Sequence, residues 1–226
     1  MLTSASLQLI AILTMLIDHI GLFLCDNNTI MRLIGRLAMP LFCFMLAEGF
    51  LHTKGKRWRY FGRLMIFAFI SQLPFDLIHH TTTTSQPLLN VMFTLATGFA
   101  AMALIEYGGW AMICLPILLI VAELLHMSYG AYGVALIVGF YLASKFLKKK
   151  KYQPWRWLAY TVVLFVSTAI YVSAKAIPIQ VGALVAIVPI VLYNGKLGKR
   201  LPKWFGYIFY PAHLLVIYAM KMLFFS

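Results

Sequence analysis

The chain has 226 residues, of which 62% are hydrophobic, 15% aromatic and only 11% charged. A soluble core cannot absorb that apolar content, so the composition excludes an ordinary soluble globular protein and points to an integral membrane protein. The formal net charge of +13 does not point to nucleic acid, because the basic residues sit in short clusters between apolar stretches, as membrane loops do.

A helix needs about 20 residues to cross ~30 Å of hydrocarbon. In chain order, apolar stretches near that length predict transmembrane helices at 7–25, 30–51, 60–79, 88–106, 110–126, 130–147, 156–174, 177–194 and 205–224. The expected fold is all-α: a polytopic helical membrane protein of about nine spans, forming a single domain over 1–226. Residues 1–8 carry no Lys or Arg, so no cleavable leader is expected. Cys25, Cys43 and Cys114 have neither disulfide nor metal-ligand spacing and read as packing residues. No glycine-rich phosphate loop, nucleotide fingerprint, serine elbow or metal-ligand cluster occurs, and no metal site is expected.

All but Arg32, Arg36, Lys175 and Lys221 of the 19 basic residues follow spans two, six and eight. The positive-inside rule makes that side the cytoplasm, with the N-terminus inside and the C-terminus outside. Lys175 and Lys221 can snorkel to the outer surface.

Ionisable groups within spans cost at least ~2.5 kcal/mol each, so a partner or a function is expected for each. Asp18, in "MLIDHIGLFL", lies about 10 Å from the outer end of span one, and Arg36 about 9 Å into span two. The two spans are antiparallel neighbours, which predicts an Asp18–Arg36 ion pair. Arg32, one turn outward on the same face, is expected to meet Asp26 or an anionic substrate group. A plain helix-anchoring role for these charges is the alternative. His19 points about 100° away from Asp18. It reads as either a proton acceptor or an interhelical hydrogen-bond donor. His213 follows Pro211 in the last span. It either lines a cavity or bonds to backbone loosened by the proline. Lys54, Lys56, Arg57 and Arg59, after Glu48, either face lipid headgroups or hold a phosphorylated ligand. Asp76, Asn90 and Glu123 lie near the level of Arg32 and are expected to form a polar cluster there or be solvated, whereas Glu106 is assigned no role.

Several stretches together resemble the TraX family, named for the conjugation protein associated with N-terminal acetylation of F pilin. They are "MLIDHIG" at 15–21, "RLIGRLAMPLFCFMLAEGF" at 32–50, "YFGRLMIFAFISQLPFD" at 60–76, "NVMFTL" at 90–95, "YGAYGV" at 129–134, "YNGKLG" at 193–198 and "FYPAHLL" at 209–215. Where the family pattern leads one to expect an Asp before "YG", this chain has Ser128. The family is also distantly similar to transmembrane acyltransferases that use cytosolic acyl-CoA and a membrane-embedded histidine near an arginine.

The resemblance implies an acetyltransferase of the bacterial inner membrane. Acetyl-CoA is the co-substrate, no cofactor is permanently bound, and the acceptor is a pilin-like protein, a peptide amine or an envelope glycan. His19 would be the catalytic residue, with Asp18, Arg32 and Arg36 in support and His213 as a second acid or base. Lys54, Lys56, Arg57, Arg59, Lys199 and Arg200 would hold the CoA phosphates. The rival expectations are a proton-coupled transporter or channel and a non-catalytic assembly factor.

Overall fold

Thr3 opens the first helix, α1 (Ser4–Phe23), its Oγ1 accepting the Ser6 amide at 3.3 Å. Asp26 and Asn27, with φ of 46° and 59°, then reverse the chain. The Asn28 side chain accepts the Ile30 and Met31 amides and starts α2 (Thr29–Gly35). The computed structural model describes residues 1–53, 55–81, 88–147, 153–199, 202 and 204–224.

The second predicted span is not one helix. It breaks at Arg36 and Leu37, before α3 (Ala38–His52). Pro40 explains the break, because its ring has no N–H for the Arg36 carbonyl one turn back and clashes with that carbonyl. Next come α4 (Arg57–His79), α5 (Val91–Tyr107), a 3-10 turn at Gly109–Ile113 leading into α6 (Cys114–Leu124), and α7 (Gly130–Phe146). After α8 (Gln153–Lys175), a 3-10 stretch at Pro178–Ala186 continues into α9 (Ile187–Val191), and α10 (Phe205–Phe224) closes the chain.

All nine predicted stretches are helical, and among the described residues the only β-type pairings are two isolated bridges. The protein is a helical membrane protein, and among the described residues 5 helical spans are long and apolar enough to cross a bilayer. Val91–Tyr107, Gly109–Leu124, Gly130–Phe146 and Pro178–Val191 are shorter than the sequence expectation. The 3-10 stretch partly compensates, since it rises ~2.0 Å per residue rather than the ~1.5 Å of an α-helix. On α8, Val162, Phe165, Val166 and Ile170 form an exposed apolar stripe at helical spacing, as a lipid-facing helix requires.

The core centres on α3. Phe44 meets Phe140, Tyr160 and Tyr193 edge-on, and Phe50 does the same with Phe99 and Tyr141. The described members of the three basic clusters gather at one end of the bundle. There Glu106, given no role by sequence, pairs with Arg57 at 3.6 Å and Lys145 at 3.3 Å, while Glu48 pairs with Arg156 at 3.7 Å. The start of α1 is tied to this end by Ser4 N–H donating to the Lys196 carbonyl at 2.9 Å. At the opposite end Lys175 meets Glu123 at 2.8 Å, and Lys221 donates to the Thr81 carbonyl at 3.4 Å.

Candidate active site

The break between α2 and α3 puts two arginines against one carboxylate. Arg36 Nη2 lies 2.5 Å from both oxygens of Asp18, and Arg32 Nη1 lies 2.8 Å from Oδ2. Arg36 Nε also donates to the Arg32 carbonyl, at 3.3 Å. The Asp18 carboxylate packs directly on the backbone of Gly35, and a Cβ there would overlap the Asp18 side chain. Only glycine permits this approach.

Arg32 therefore corrects the expectation that it meets Asp26, which is exposed. Lying four residues before Arg36, it reaches the same carboxylate. Two guanidinium groups share one acid, so the cluster carries one uncompensated positive charge. Arg32 Nε is buried and has no hydrogen-bond partner among the described residues, which is the costly condition for a polar atom.

These residues line a cavity of about 230 Å³ together with His19, His79, Ser128, Tyr129 and Tyr210. Tyr129 begins α7 with φ of 66°, and its ring centroid lies 5.8 Å from the Arg36 guanidinium carbon. A left-handed tyrosine is an uncommon backbone state, and here it coincides with the placement of a ring on the cavity wall. The carbonyl of Ser128 accepts from the Thr94 hydroxyl, so Ser128 is tied to α5 through its backbone.

His213 does not line the cavity. It is buried, and its Nε2 is 2.7 Å from His19 Nδ1. Its own Nδ1 is 2.9 Å from the Phe209 carbonyl. A carbonyl can only accept, so His213 Nδ1 carries the proton, and in the neutral ring Nε2 is the acceptor. His19 Nδ1 must then donate to it, which leaves the lone pair of His19 on Nε2. His79, also on the wall, has its Nδ1 2.9 Å from the Phe75 carbonyl.

The other sequence candidates separate. Gln72 joins Asp76 to Asn90, donating to Asp76 at 2.7 Å and accepting from Asn90 at 2.8 Å, and Asn90 caps α5. Glu123 accepts from the Ala131 amide at 2.9 Å and binds Lys175. None of the three lines the cavity, so the polar cluster expected around Arg32 is not formed by them; they fasten helix ends instead. Glu48 is at the basic end, paired with Arg156.

A second cavity, of about 430 Å³, opens at the basic end. Among the described residues its lining cation is Arg63, counted in the sequence only toward orientation. Lys56, Arg59 and Lys199 are exposed outside its wall. Arg57 is engaged by Glu106 and stacked 4.0 Å from the Phe50 ring centroid. Lys54 and Arg200 lie outside the described residues. Sequence reasoning thus missed Tyr129, Tyr210, His79 and Arg63 as wall residues. Only Tyr129 and Tyr210 had a signal, in the "YGAYGV" and "FYPAHLL" stretches.

The family model for TraX protein matches residues 3–221. A probable fimbrial assembly protein FimC, serogroup H1, of Dichelobacter nodosus is 30% identical over 234 residues, covering 96% of this chain and 94% of that protein. An uncharacterized protein of Rickettsia prowazekii (strain Madrid E) is 29% identical over 141 residues, covering 61% of this chain and 54% of that protein. No solved structure matches.

Proposed function

Since the chain belongs to the TraX family, we propose that it moves an acetyl group from acetyl-CoA to the terminal amine of a pilin-like protein. The basic end faces the cytoplasm of a bacterial cell and the protein lies in its inner membrane, following the positive-inside rule. The fimbrial name of the Dichelobacter nodosus relative favours a pilin-like acceptor over an envelope glycan.

The observation that carries the proposal is one cavity whose wall includes both an oriented histidine and the Arg32–Asp18–Arg36 cluster with its one uncompensated positive charge. His19 Nε2 takes a proton from the acceptor amine as its nitrogen bonds to the acetyl carbon. The thioester C–S bond then breaks, and the CoA thiolate leaves with the proton returned by His19. His213 holds the His19 ring and its tautomer, acting as a positioning residue. The Arg32 guanidinium, on the cavity wall, stabilises the oxygen that gains charge as the tetrahedral centre forms. Arg36 was the sequence candidate for that task. Its Nη2 and Nε are already committed to Asp18 and to the Arg32 carbonyl, so it anchors the cluster.

The test is purified full-length protein in nanodiscs with radiolabelled acetyl-CoA and a pilin-like peptide, with its terminal amine either free or blocked. Label is expected on the free-amine peptide alone. No transfer to any amine or hydroxyl acceptor would overturn the proposal. In the same assay Arg32→Lys keeps a charge for Asp18 but loses the guanidinium's further donors. It is expected to lower kcat about 10²-fold with KM little changed, the usual effect of removing one oxyanion donor. An unchanged kcat would remove Arg32 from that role.

A further inference from the structure

The two cavities are stacked along the bundle, and among the described residues Phe42 alone belongs to both walls. Helix α3 supplies the continuity. Ala38 and Met39 face the polar cavity, Phe42 lies between, and Met45, Leu46 and Gly49 face the larger one, all at helical spacing. The same order recurs on α1, where Ser4 and Gln8 line the larger cavity and Met15 and His19 the polar one. On α10, Tyr207 and Tyr210 divide likewise.

The chambers differ in chemistry. The larger is walled chiefly by Met45, Leu46, Leu64, Met92 and Leu95, with Arg63 also on its wall. No carboxylate lies within ion-pair distance of Arg63 among the described residues; its guanidinium carbon is 5.4 Å from the Tyr60 ring centroid. An apolar channel with an acid-free guanidinium suits a thioester arm tethered to phosphates. The inner chamber is polar, and its volume of about 230 Å³ falls below the ~300 Å³ at which pockets for drug-sized ligands begin.

We propose that Phe42 is the partition between an entry chamber for the acyl-thioester arm and the reaction chamber at His19, and that it sets acyl-chain specificity. This rests on the acetyl-transfer reading above. An acetyl group passes the ring edge with its thioester carbon reaching the inner chamber. A longer acyl chain is held on the entry side, and its carbonyl stays short of His19 and Arg32.

The experiment compares kcat/KM for acetyl-CoA and hexanoyl-CoA in the wild type, Phe42→Ala and Phe42→Leu, with the leucine variant serving if the alanine variant does not fold. The hexanoyl-to-acetyl ratio is expected to rise about tenfold or more on trimming the ring, the scale on which apolar pockets discriminate chain length. Acetyl transfer with an unchanged ratio overturns the partition and leaves the reaction standing. No acetyl transfer by the wild type overturns the reaction itself. A readout independent of chemistry is Met39→Cys in a background lacking Cys25, Cys43 and Cys114. A bulky maleimide admitted from the basic end should modify that thiol faster when Phe42 is trimmed, and an unchanged rate means that Phe42 is no barrier.

Discussion

Replacing His19 with alanine is expected to lower acetyl turnover by about 10²- to 10⁴-fold, the range for loss of a positioned general base. Acetyl-CoA binding should persist, because the entry chamber lies on the other side of Phe42. The His213 variants separate orientation from chemistry. His213→Leu removes the acceptor 2.7 Å from His19 Nδ1 and frees the ring to turn or change tautomer, so kcat should fall about tenfold or more with KM unchanged. His213→Gln offers a carbonyl oxygen in that place and should restore part of the loss. A purely structural role for His213 would show no such difference between leucine and glutamine at equal protein stability. Full turnover by His19→Ala would end its assignment as the base.

Asp18→Asn carries the other large effect. The carboxylate is the acid between Arg32 and Arg36, and the Asp18 and Arg36 side chains are each 9% exposed. The amide keeps the shape but leaves the buried Arg36 and the part-buried Arg32 guanidinium groups facing each other without neutralisation. Breaking a buried pair in this way costs about 3–5 kcal/mol. The expected result is a large fall in monodisperse yield and in thermal midpoint, read by size-exclusion chromatography after stepwise heating. Asp18→Leu combined with Arg36→Met should recover part of that stability, because it leaves one guanidinium without an acid instead of two. A single Asp18→Asn variant as stable as the wild type would mean that the cluster contributes nothing to the fold.

The apolar stretches were legible because lipid selects for them uniformly along the chain. Their internal form was not. Hydropathy is flat across 30–51 and does not register Pro40, whose missing N–H splits α2 from α3, nor does it distinguish the 3-10 turns of 178–186 from an α-helix. The Asp18–Arg36 contact was legible from depth alone, because a short loop forces neighbouring spans to be antiparallel. Arg32 was expected, one turn outward of Arg36, to meet Asp26 or an anionic substrate group; of these the Asp26 contact is replaced by Asp18, because helical spacing places Arg32 over the same carboxylate as Arg36. His19 and His213 lie 194 residues apart, and no periodicity connects α1 to α10. Glu106 was assigned no role because charge counting does not reveal which helix ends converge on it.

The shared carboxylate also constrains how the chain enters the bilayer. A segment from 29 to 52 released alone would carry two unneutralised arginines into hydrocarbon, at a cost of at least ~2.5 kcal/mol each. The α1 segment alone would carry an unpaired aspartate. Each is the other's counterion, and the bare backbone of Gly35 lets them approach. The first two spans are therefore best inserted together as a helical hairpin, with Asp18 already neutralised before either helix is left to lipid.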